Sequence, residues 1–596
     1  DARANMAQAY DAPLALLRVA IEQAVQVMQL RSIESCASVL DELADPVLEG
    51  AARFAGSVLS PLNRIGDANP ARIQDGAVMT PPGFAPAYRR FCADGWPALA
   101  APAEHGGQAL PLLLAAATTE MWAGANLAFA MCPESAVGAI EALRRHAPAD
   151  LAAQYLPRLV SGAWAAAMCL TEPQAGSDLS TLRTLAAPDG DAWRLTGRKI
   201  FISWGDHDLT ENIVHLVLAR TPDAPPGTRG ISLFLVPKRL GTGDAASPRN
   251  DIVATSLEHK MGIRASPTCA MSLGERGGAR GWLIGRRHEG LACMFAMMNQ
   301  MRLGVALHST GLAERALQLA RAYAHERRQG RGPDGSQRPI IEHADVRRML
   351  LLMKTLTHTA RCLAYTAAAA LDAEQRAASV ERRESAGRLL GLLTPLAKAW
   401  CSDVAVEVAS LGVQVHGGLG YIDDCEASQI YRDARIGPIF EGTNYIQAQD
   451  LLVRRVLRDD GLALEELLTL IEQAAQALDG SGGTRELAAL RDPLLGECAR
   501  LRSASEELRR RLPAEPQLAG CVAYAFLQWL GAIAGGWQWA LSAQRALLPE
   551  CAPALRRALR DGARFYAAHV LPRARVAEAI VHGGAAPVLT PQLSDV

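Results

Sequence analysis

The chain is expected to fold as an α+β protein that is mainly α, because its texture changes three times along 596 residues. Ala and Leu recur at helical spacing from about 36 to 160, short β-rich runs fill 161–285, and long helical runs return from 286 onward. A composition of 49% hydrophobic and 21% charged residues is that of an ordinary globular chain, with room for about three or four domains.

Residues 1–35 form an N-terminal extension without a recognisable motif. They hold acidic side chains among the apolar ones and lack a basic segment followed by a clean apolar core, so no secretory signal is expected there. Residues 36–160 read as an N-terminal helical domain, with runs such as DLAAQYLPRLVSG broken by turns such as PAEHGG at 102–107. Residues 161–285 read as a compact, barrel-like β domain, in which RLTGRKIFIS, NIVHLVLAR and GISLFLVP are separated by Pro/Gly/Asp turns. In 286–460 four helical runs, the last over Ile446 to Leu457, predict a four-helix bundle. Residues 461–596 add a further helical domain, with DGSGGT at 479–484 expected to be flexible. Within it, Ala519 to Leu541 is free of charge, long enough to span a bilayer, and has Gly531 and Gly535 at GxxxG spacing. Gln528, Gln538 and the many small residues favour a central helix of a packed bundle, without membrane insertion.

With 61 basic against 62 acidic side chains, the chain has no overall field to recruit nucleic acid or an anionic membrane, and a small-molecule partner is expected. The arginine clusters at 509–511 and 556–557 sit among Glu506, Glu507 and Asp561, as on a solvated helix face. Twelve cysteines without a CxxC pair suit free thiols in a reducing compartment, with the cytoplasm as default. His207, His259, His325, His343 and His416 show no metal-ligand spacing, and no metal is expected. GGLG at 417–420 follows a helical stretch and lacks the third glycine of a dinucleotide fingerprint.

Three segments carry chemistry. In RDARIGPIFEGTN, Glu441 stands beside Phe440 just before a helix start; shielding from water would raise its pKa and make it a stronger base. At the very N-terminus of a helix the same carboxylate would be stabilised by the macrodipole and weakened as a base. MCLTEPQAGSD at 168–178 reads as a strand delivering a polar loop, with Gly176 free of side-chain bulk and Thr171 and Ser177 able to donate hydrogen bonds to a flat heteroaromatic ring. RKIFISWGDHD at 198–208 is a second strand ending in polar and glycine residues.

Together, MCLTEPQAGSD, KIFIS and QVHGGLGY followed by RDARIGPIFEGTN resemble the characteristic segments of the acyl-CoA dehydrogenase family, in the same order, over roughly 80 to 460. HDLTENIVHLVLAR, EHKMGIRASPTC and the chain past 460 are similar to its long subgroup, which includes 3-methylmercaptopropionyl-CoA dehydrogenases and broad-specificity relatives. The resemblance implies FAD held between the β domain and the bundle, with Met168, Leu170, Thr171, Gly176 and Ser177 at the flavin ring and Phe201, Ile202 and Ser203 backing it. It implies that Arg327 binds the FAD pyrophosphate of a neighbouring subunit and that Gln414, Gly417 and Gly418 receive that FAD, which requires at least a homodimer. Thr443 and Asn444 join the cofactor set, while Ser177, Asn299, Arg302 and Gly442 would meet the acyl-CoA.

The implied reaction is α,β-dehydrogenation of an acyl-CoA thioester to the trans-2-enoyl-CoA, with Glu441 as α-proton base, FAD N5 as hydride acceptor and an electron-transfer flavoprotein receiving the electrons. The same fold and base would also serve an acyl-CoA oxidase using oxygen, a flavin-bearing alkylation-response relative associated with nucleic acid, or a catalytically silent scaffold. Trp204 stands where relatives carry a small residue and is expected to crowd the flavin or narrow the acyl channel. Arg331 and Ala344 replace a glycine and a glutamine of shorter relatives.

Overall fold

The computed structural model describes residues 9–241, 246–332, 334–479 and 485–595. Beyond Asp479, the DGSGGT stretch expected to be flexible lies outside the described residues. The fold is mainly helical and divides into two compact units: residues 50–111 with 121–304, and residues 1–49 with 112–120 and 305–596.

In the first unit, the run NIVHLVLAR becomes the strand Asn212–Arg220, buried at every position but its last. It pairs in parallel with Trp164–Cys169 and antiparallel with Ile231–Pro237. From there the sheet continues through Ala279–Ile284 to Ala192–Ser203 and Leu185–Asp189, and Leu185 returns to Arg220, closing a barrel-like ring. Thr268–Leu273 and Ile252–Leu257 extend the sheet from Ala192–Ser203.

Side chains on successive strand residues point to opposite faces, and both faces here are covered. Ala166, Val214, Leu216 and Leu233 pack with Leu143, Leu156 and Met297 of the helices Leu112–His146, Ala149–Val160 and Gly290–Glu326. Ala165, Ala167, Ile213 and Phe234 fill the opposite side. One hairpin interrupts the region expected to be helical: Arg72–Gln74 pairs with Ala77–Met79. Its turn, Asp75-Gly76, takes φ of 52° and 74°, the Asp-Gly turn that joins two strands most directly.

In the second unit, the helices Ala344–Arg376 and Val380–His416 pack along each other. The run expected to be one helix over 446–457 is instead an α-helix, Asn444–Gln449, that widens into a π-helix, Asp450–Leu457. The N-terminal extension supplies a helix, Leu14–Met28, that packs on Ala344–Arg376. Residues 461–596 form Leu462–Gln476, Arg485–Arg511, Leu518–Ala546, Pro553–His569 and Arg573–Gly583.

Leu518–Ala546 is a central helix of this unit. Its small residues bring it close to its neighbours: a Cβ on Gly531 would lie 2.2 Å from the Trp400 ring, and one on Gly535 2.1 Å from the Tyr566 hydroxyl. Among the described residues three helical spans are long and apolar enough to cross a membrane, Gly290–Glu326, Val380–Tyr421 and Leu518–Ala546, and each buries most of its apolar window within the protein. The second unit also buries ions. Arg361 donates to Glu120 at 2.6 Å and Glu314 at 2.8 Å, and Tyr365 donates to Glu120 at 2.7 Å. Such a pairing offsets the large cost of taking charge out of water and punishes loss of one member. The twelve cysteines are free thiols.

Candidate active site

The loop after Trp164–Cys169 and the end of Ala192–Ser203 are brought together in the β unit. Ile200 N–H donates to the Thr171 carbonyl at 3.0 Å. Beneath them lies Lys199, fully buried, whose ammonium donates to the Leu170 and Leu218 carbonyls at 3.0 and 2.8 Å and to Glu172 Oε1 at 2.9 Å. Glu172 also accepts from Arg183 N–H at 2.7 Å, Thr184 N–H at 3.0 Å, the Thr184 hydroxyl at 2.5 Å and Gln174 Nε2 at 2.6 Å. Burial works against ionisation of Glu172, but the Lys199 charge and these donors outweigh it and hold the carboxyl at about 2. The loop therefore rests on a saturated buried ion pair.

Above that base the surface is open. A Cβ at Gly176 would meet nothing within 4 Å, Ser177 is exposed, and Thr171 is half-buried. The pairing of Ala192–Ser203 with Thr268–Leu273 is irregular between Lys199 and Ile202. Within that irregularity Phe201 adopts φ 59° and leaves its ring 59% exposed. A left-handed conformation at a bulky residue costs about 1–3 kcal/mol and marks a segment shaped by something other than regular pairing. Ile202, by contrast, is buried in the barrel core, and Ser203 is half-buried.

Trp204 does not accompany Phe201 outward. It is fully buried, edge-on to His207 with ring centroids 5.4 Å apart, and its backbone N–H donates to the Pro267 carbonyl at 2.7 Å. Its backbone takes a left-handed φ of 53°, and the indole lies inside the β unit. In the same unit, on the helix Gly290–Glu326, Asn299 is exposed and Arg302 is buried.

In the helical unit Glu441 is half-buried and takes φ 57°, followed by Gly442 at 82°. Thr443 is the cap of the next helix, its hydroxyl accepting from Ile446 N–H at 3.3 Å. Glu441 therefore lies two residues before the cap, outside the first turn where a helix dipole acts most strongly. The turn is held from behind by Lys398, fully buried, which donates to the Gly442 carbonyl at 2.8 Å and to Asn444 Oδ1 at 3.0 Å. Gln447 Nε2 adds bonds of 3.2 Å to the Glu441 and Gly442 carbonyls. Asn444 is buried, and its amide donates to the Ala399 carbonyl at 3.1 Å and to Asp403 Oδ1 at 2.8 Å.

Gln414, Gly417 and Gly418 are exposed at the end of the helix that carries Lys398. Sixteen residues of α-helix separate Lys398 from Gln414, a rise of about 24 Å, so this turn and the Glu441 turn are distinct places. Arg327 belongs with the former: its N–H donates to the Tyr323 carbonyl at 2.8 Å, and the Tyr323 ring stacks on His416 at 4.6 Å. Neither Gly417 nor Gly418 has an atom within 4 Å of where a Cβ would stand.

Sequence reasoning overlooked the groups that brace these segments: Lys199, Lys398 and Asp403. Their only trace is a charge within or at the end of an apolar run, KIFIS or LLTPLAKAWCSD, a faint signal because partners arrive from distant residues. Among the described residues no cluster of three or more His, Cys, Asp or Glu side chains could hold a metal ion. An exposed aromatic ring at Phe201, one residue from the bond that joins Ile200 to Thr171, together with a side-chain-free Gly176 and the polar Thr171 and Ser177, does fit a planar heteroaromatic cofactor.

Comparison with known proteins agrees with these assignments of shape. Residues 52–163, 167–275 and 288–457 match the N-terminal, middle and C-terminal domains of acyl-CoA dehydrogenase, and 464–591 match a domain described as acetyl-CoA dehydrogenase C-terminal like. The 3-methylmercaptopropionyl-CoA dehydrogenase of Ruegeria pomeroyi is 44% identical over 542 residues, covering 90% of this chain and 91% of that protein. The structure of Caenorhabditis elegans ACDH-11 in complex with C11-CoA superposes with a TM-score of 0.71 at 22% identity, covering 89% of this chain and 91% of that one. A solved structure described as the electron transferring flavoprotein of Acidaminococcus fermentans matches with a TM-score of 0.58 at 27% identity, over 70% of this chain and 98% of that one.

Proposed function

The chain belongs to the acyl-CoA dehydrogenase family, FAD-dependent enzymes that dehydrogenate acyl-CoA thioesters, and from that premise we propose that Glu441 is the base that removes the α-proton. The observation that carries this reading is the Glu441 turn itself: a half-buried carboxylate on a left-handed backbone, outside its helix and braced by a buried ammonium. The Glu441 carboxylate takes the α-proton and becomes the carboxylic acid, while Gly442 leaves room for the thioester. FAD, when bound, supplies the acceptor for the hydride from Cβ.

Thr171, Gly176 and Ser177 present an open polar loop to the flavin, reached through Met168 and the buried Leu170; Phe201 to Ser203 back it, with Ile202 anchored in the barrel core; and Asn299 and Arg302 are assigned to the CoA portion. Arg327, Gln414, Gly417 and Gly418 share an exposed end about 24 Å of helix away from Lys398, which suits contact with the FAD of a second subunit in a homodimer. A monodisperse monomer carrying a full complement of FAD in sedimentation equilibrium would contradict that assignment.

The likeness to the Ruegeria protein supports a short thioester such as 3-methylmercaptopropionyl-CoA as substrate, and the match to a flavoprotein of electron transfer supports an electron-transfer flavoprotein as acceptor. The cytoplasm is the compartment proposed. No membrane insertion is part of the reading, since Leu518–Ala546 packs its glycines on Trp400 and Tyr566. No nucleic-acid role is proposed either: Arg511 is tied to Glu507 and Glu515 at 3.2 and 3.0 Å.

Anaerobic flavin absorbance decides the matter. Short, branched, aromatic, long-chain and 3-methylmercaptopropionyl thioesters are added in turn; one is expected to bleach the flavin. Glu441→Gln is expected to slow that bleaching by about 10²–10⁴-fold while the thioester still binds. Bleaching at the wild-type rate in Glu441→Gln would sink the assignment of the base.

A further inference from the structure

Residues 464–591 match a further domain beyond the three that span 52–457, a surplus over that core. Part of that surplus reaches the Glu441 turn. From the helix Leu518–Ala546, the Tyr524 hydroxyl and Gln528 Nε2 both donate to Asp403 Oδ2 at 2.7 Å. The other oxygen of Asp403 accepts from Asn444 Nδ2 at 2.8 Å, and Asn444 Oδ1 accepts from the Lys398 ammonium that also holds the Gly442 carbonyl. A second line of contact runs from the same helix: Tyr445 donates to the Gly520 carbonyl at 3.2 Å and Gln449 to the Ala519 carbonyl at 3.1 Å.

We propose that Tyr524 and Gln528 are positioning residues for the α-proton base, acting through Asp403, Asn444 and Lys398 to hold the backbone of Glu441 and Gly442; this rests on the reading of Glu441 as the base. The physical logic is one of saturation. Asp403 can accept on both oxygens, and its three donors come from two directions, the base-bearing turn and the added helix. Removing the two donors of the added helix leaves Oδ2 without those bonds, frees the carboxylate to rotate, and withdraws the fixed acceptor on which the Asn444 amide is oriented. Asn444, left with its bonds to the Ala399 carbonyl and Ser402, then directs Lys398 at the Gly442 carbonyl less firmly, and the left-handed pair Glu441 and Gly442 is less tightly braced. The terminal helical domain thereby serves the active site, and not the bulk of the fold alone.

The test uses the FAD-loaded, full-length protein and four forms of it: wild type, the double variant Tyr524→Phe with Gln528→Leu, the variant Gln544→Leu, and Glu441→Gln. Gln544 lies on the same helix and donates to the Ala474 carbonyl at 2.7 Å, so its loss removes a comparable bond that points away from the turn. Hydrogen exchange of the amides of 442–447 is expected to quicken at least about tenfold in the double variant and to stay unchanged in Gln544→Leu. With the thioester that bleaches wild type fastest among butyryl-CoA, 3-methylmercaptopropionyl-CoA and lauroyl-CoA, the flavin-reduction rate is expected to fall about tenfold or more in the double variant. Thioester affinity and FAD content should hold there, and an α-deuterium isotope effect should grow.

Unchanged exchange at 442–447 in the double variant overturns the proposal whether or not any thioester bleaches the flavin. Faster exchange with an unchanged reduction rate, or equal losses in Gln544→Leu, also overturns it, since the contacts would then be structural only. If Glu441→Gln reduces as fast as wild type, the assignment of the base fails separately, and the exchange data still report on the brace.

Discussion

The Lys398 ammonium and the Gly442 carbonyl are 2.8 Å apart, in a helical unit where Lys398 has no exposure to solvent. A buried cation is thus aimed at the backbone immediately after the candidate base, and Asn444 shares it at 3.0 Å. Because a charged donor in a dry site is strong and costly to lose, this contact is the natural place to begin testing the site.

Lys398→Met removes the donor while roughly keeping the volume. The Gly442 carbonyl and Asn444 Oδ1 each lose a charged partner, so stability is expected to drop by about 2–4 kcal/mol. Flavin reduction should slow at saturating thioester. Denaturant melts and stopped-flow absorbance check the two separately; a variant as stable and as fast as wild type would refute the brace.

Phe201→Ala tests the open face of the β unit. Both residues must bear the same left-handed φ of 59°, so the comparison isolates the ring. Loss of one aromatic contact predicts about a 3- to 10-fold weaker FAD affinity, read by titrating the apoprotein and following flavin fluorescence. Thermal stability of the apoprotein should hardly move, because the ring is 59% exposed. A cofactor affinity equal to wild type would exclude Phe201 from the flavin site.

Acid should loosen the loop at Glu172. Its folded-state pKa of about 2 lies below the ordinary value of 4.5, so the stabilisation is complete above about pH 4.5 and is lost as pH falls toward 2. The shift corresponds to roughly 3 kcal/mol. Urea melts of wild type and Glu172→Gln are therefore expected to differ most at pH 7, to draw together below about pH 4.5 and to converge only near pH 2. A gap that stays constant over that range would show that the Lys199 pair does not stabilise the β unit.

The added helices depend on close approach. Gly531→Val places a branched side chain where even a Cβ would lie 2.2 Å from Trp400, and about 2–3 kcal/mol of destabilisation is expected from overpacking. Gly583→Ala, at a helical position with nothing within 4 Å, should stay within about 0.5 kcal/mol of wild type. Equal stability of the two variants would argue against tight packing at Trp400.

Much of the architecture was legible because it rests on periodicity. Runs such as NIVHLVLAR and GISLFLVP can bury both faces only inside a sheet, and they do so as Asn212–Arg220 and Ile231–Pro237. The hairpin at 72–79 escaped notice because each strand has three residues, too few to show alternation, and only the Asp-Gly pair at its turn signals it. The π-helix Asp450–Leu457 escaped for a different reason: its hydrogen-bond register leaves the same apolar spacing in the sequence as an α-helix. The opposite fates of the exposed Phe201 ring and the buried Trp204 ring could not be read from the sequence, because they accompany left-handed backbone at 201 and 204 that no local pattern announces.

The sequence by itself determined the fold class, the family, and the candidate base, since apolar period, turn chemistry and the FEGTN segment are local properties of the chain. Tertiary structure alone decided what holds that base. Lys398, Asp403, Tyr524 and Gln528 lie as far as 87 residues from Glu441 in sequence, and only packing brings their charges and donors to one turn. Burial makes such contacts strong, and burial is a property that a residue acquires from its neighbours in space.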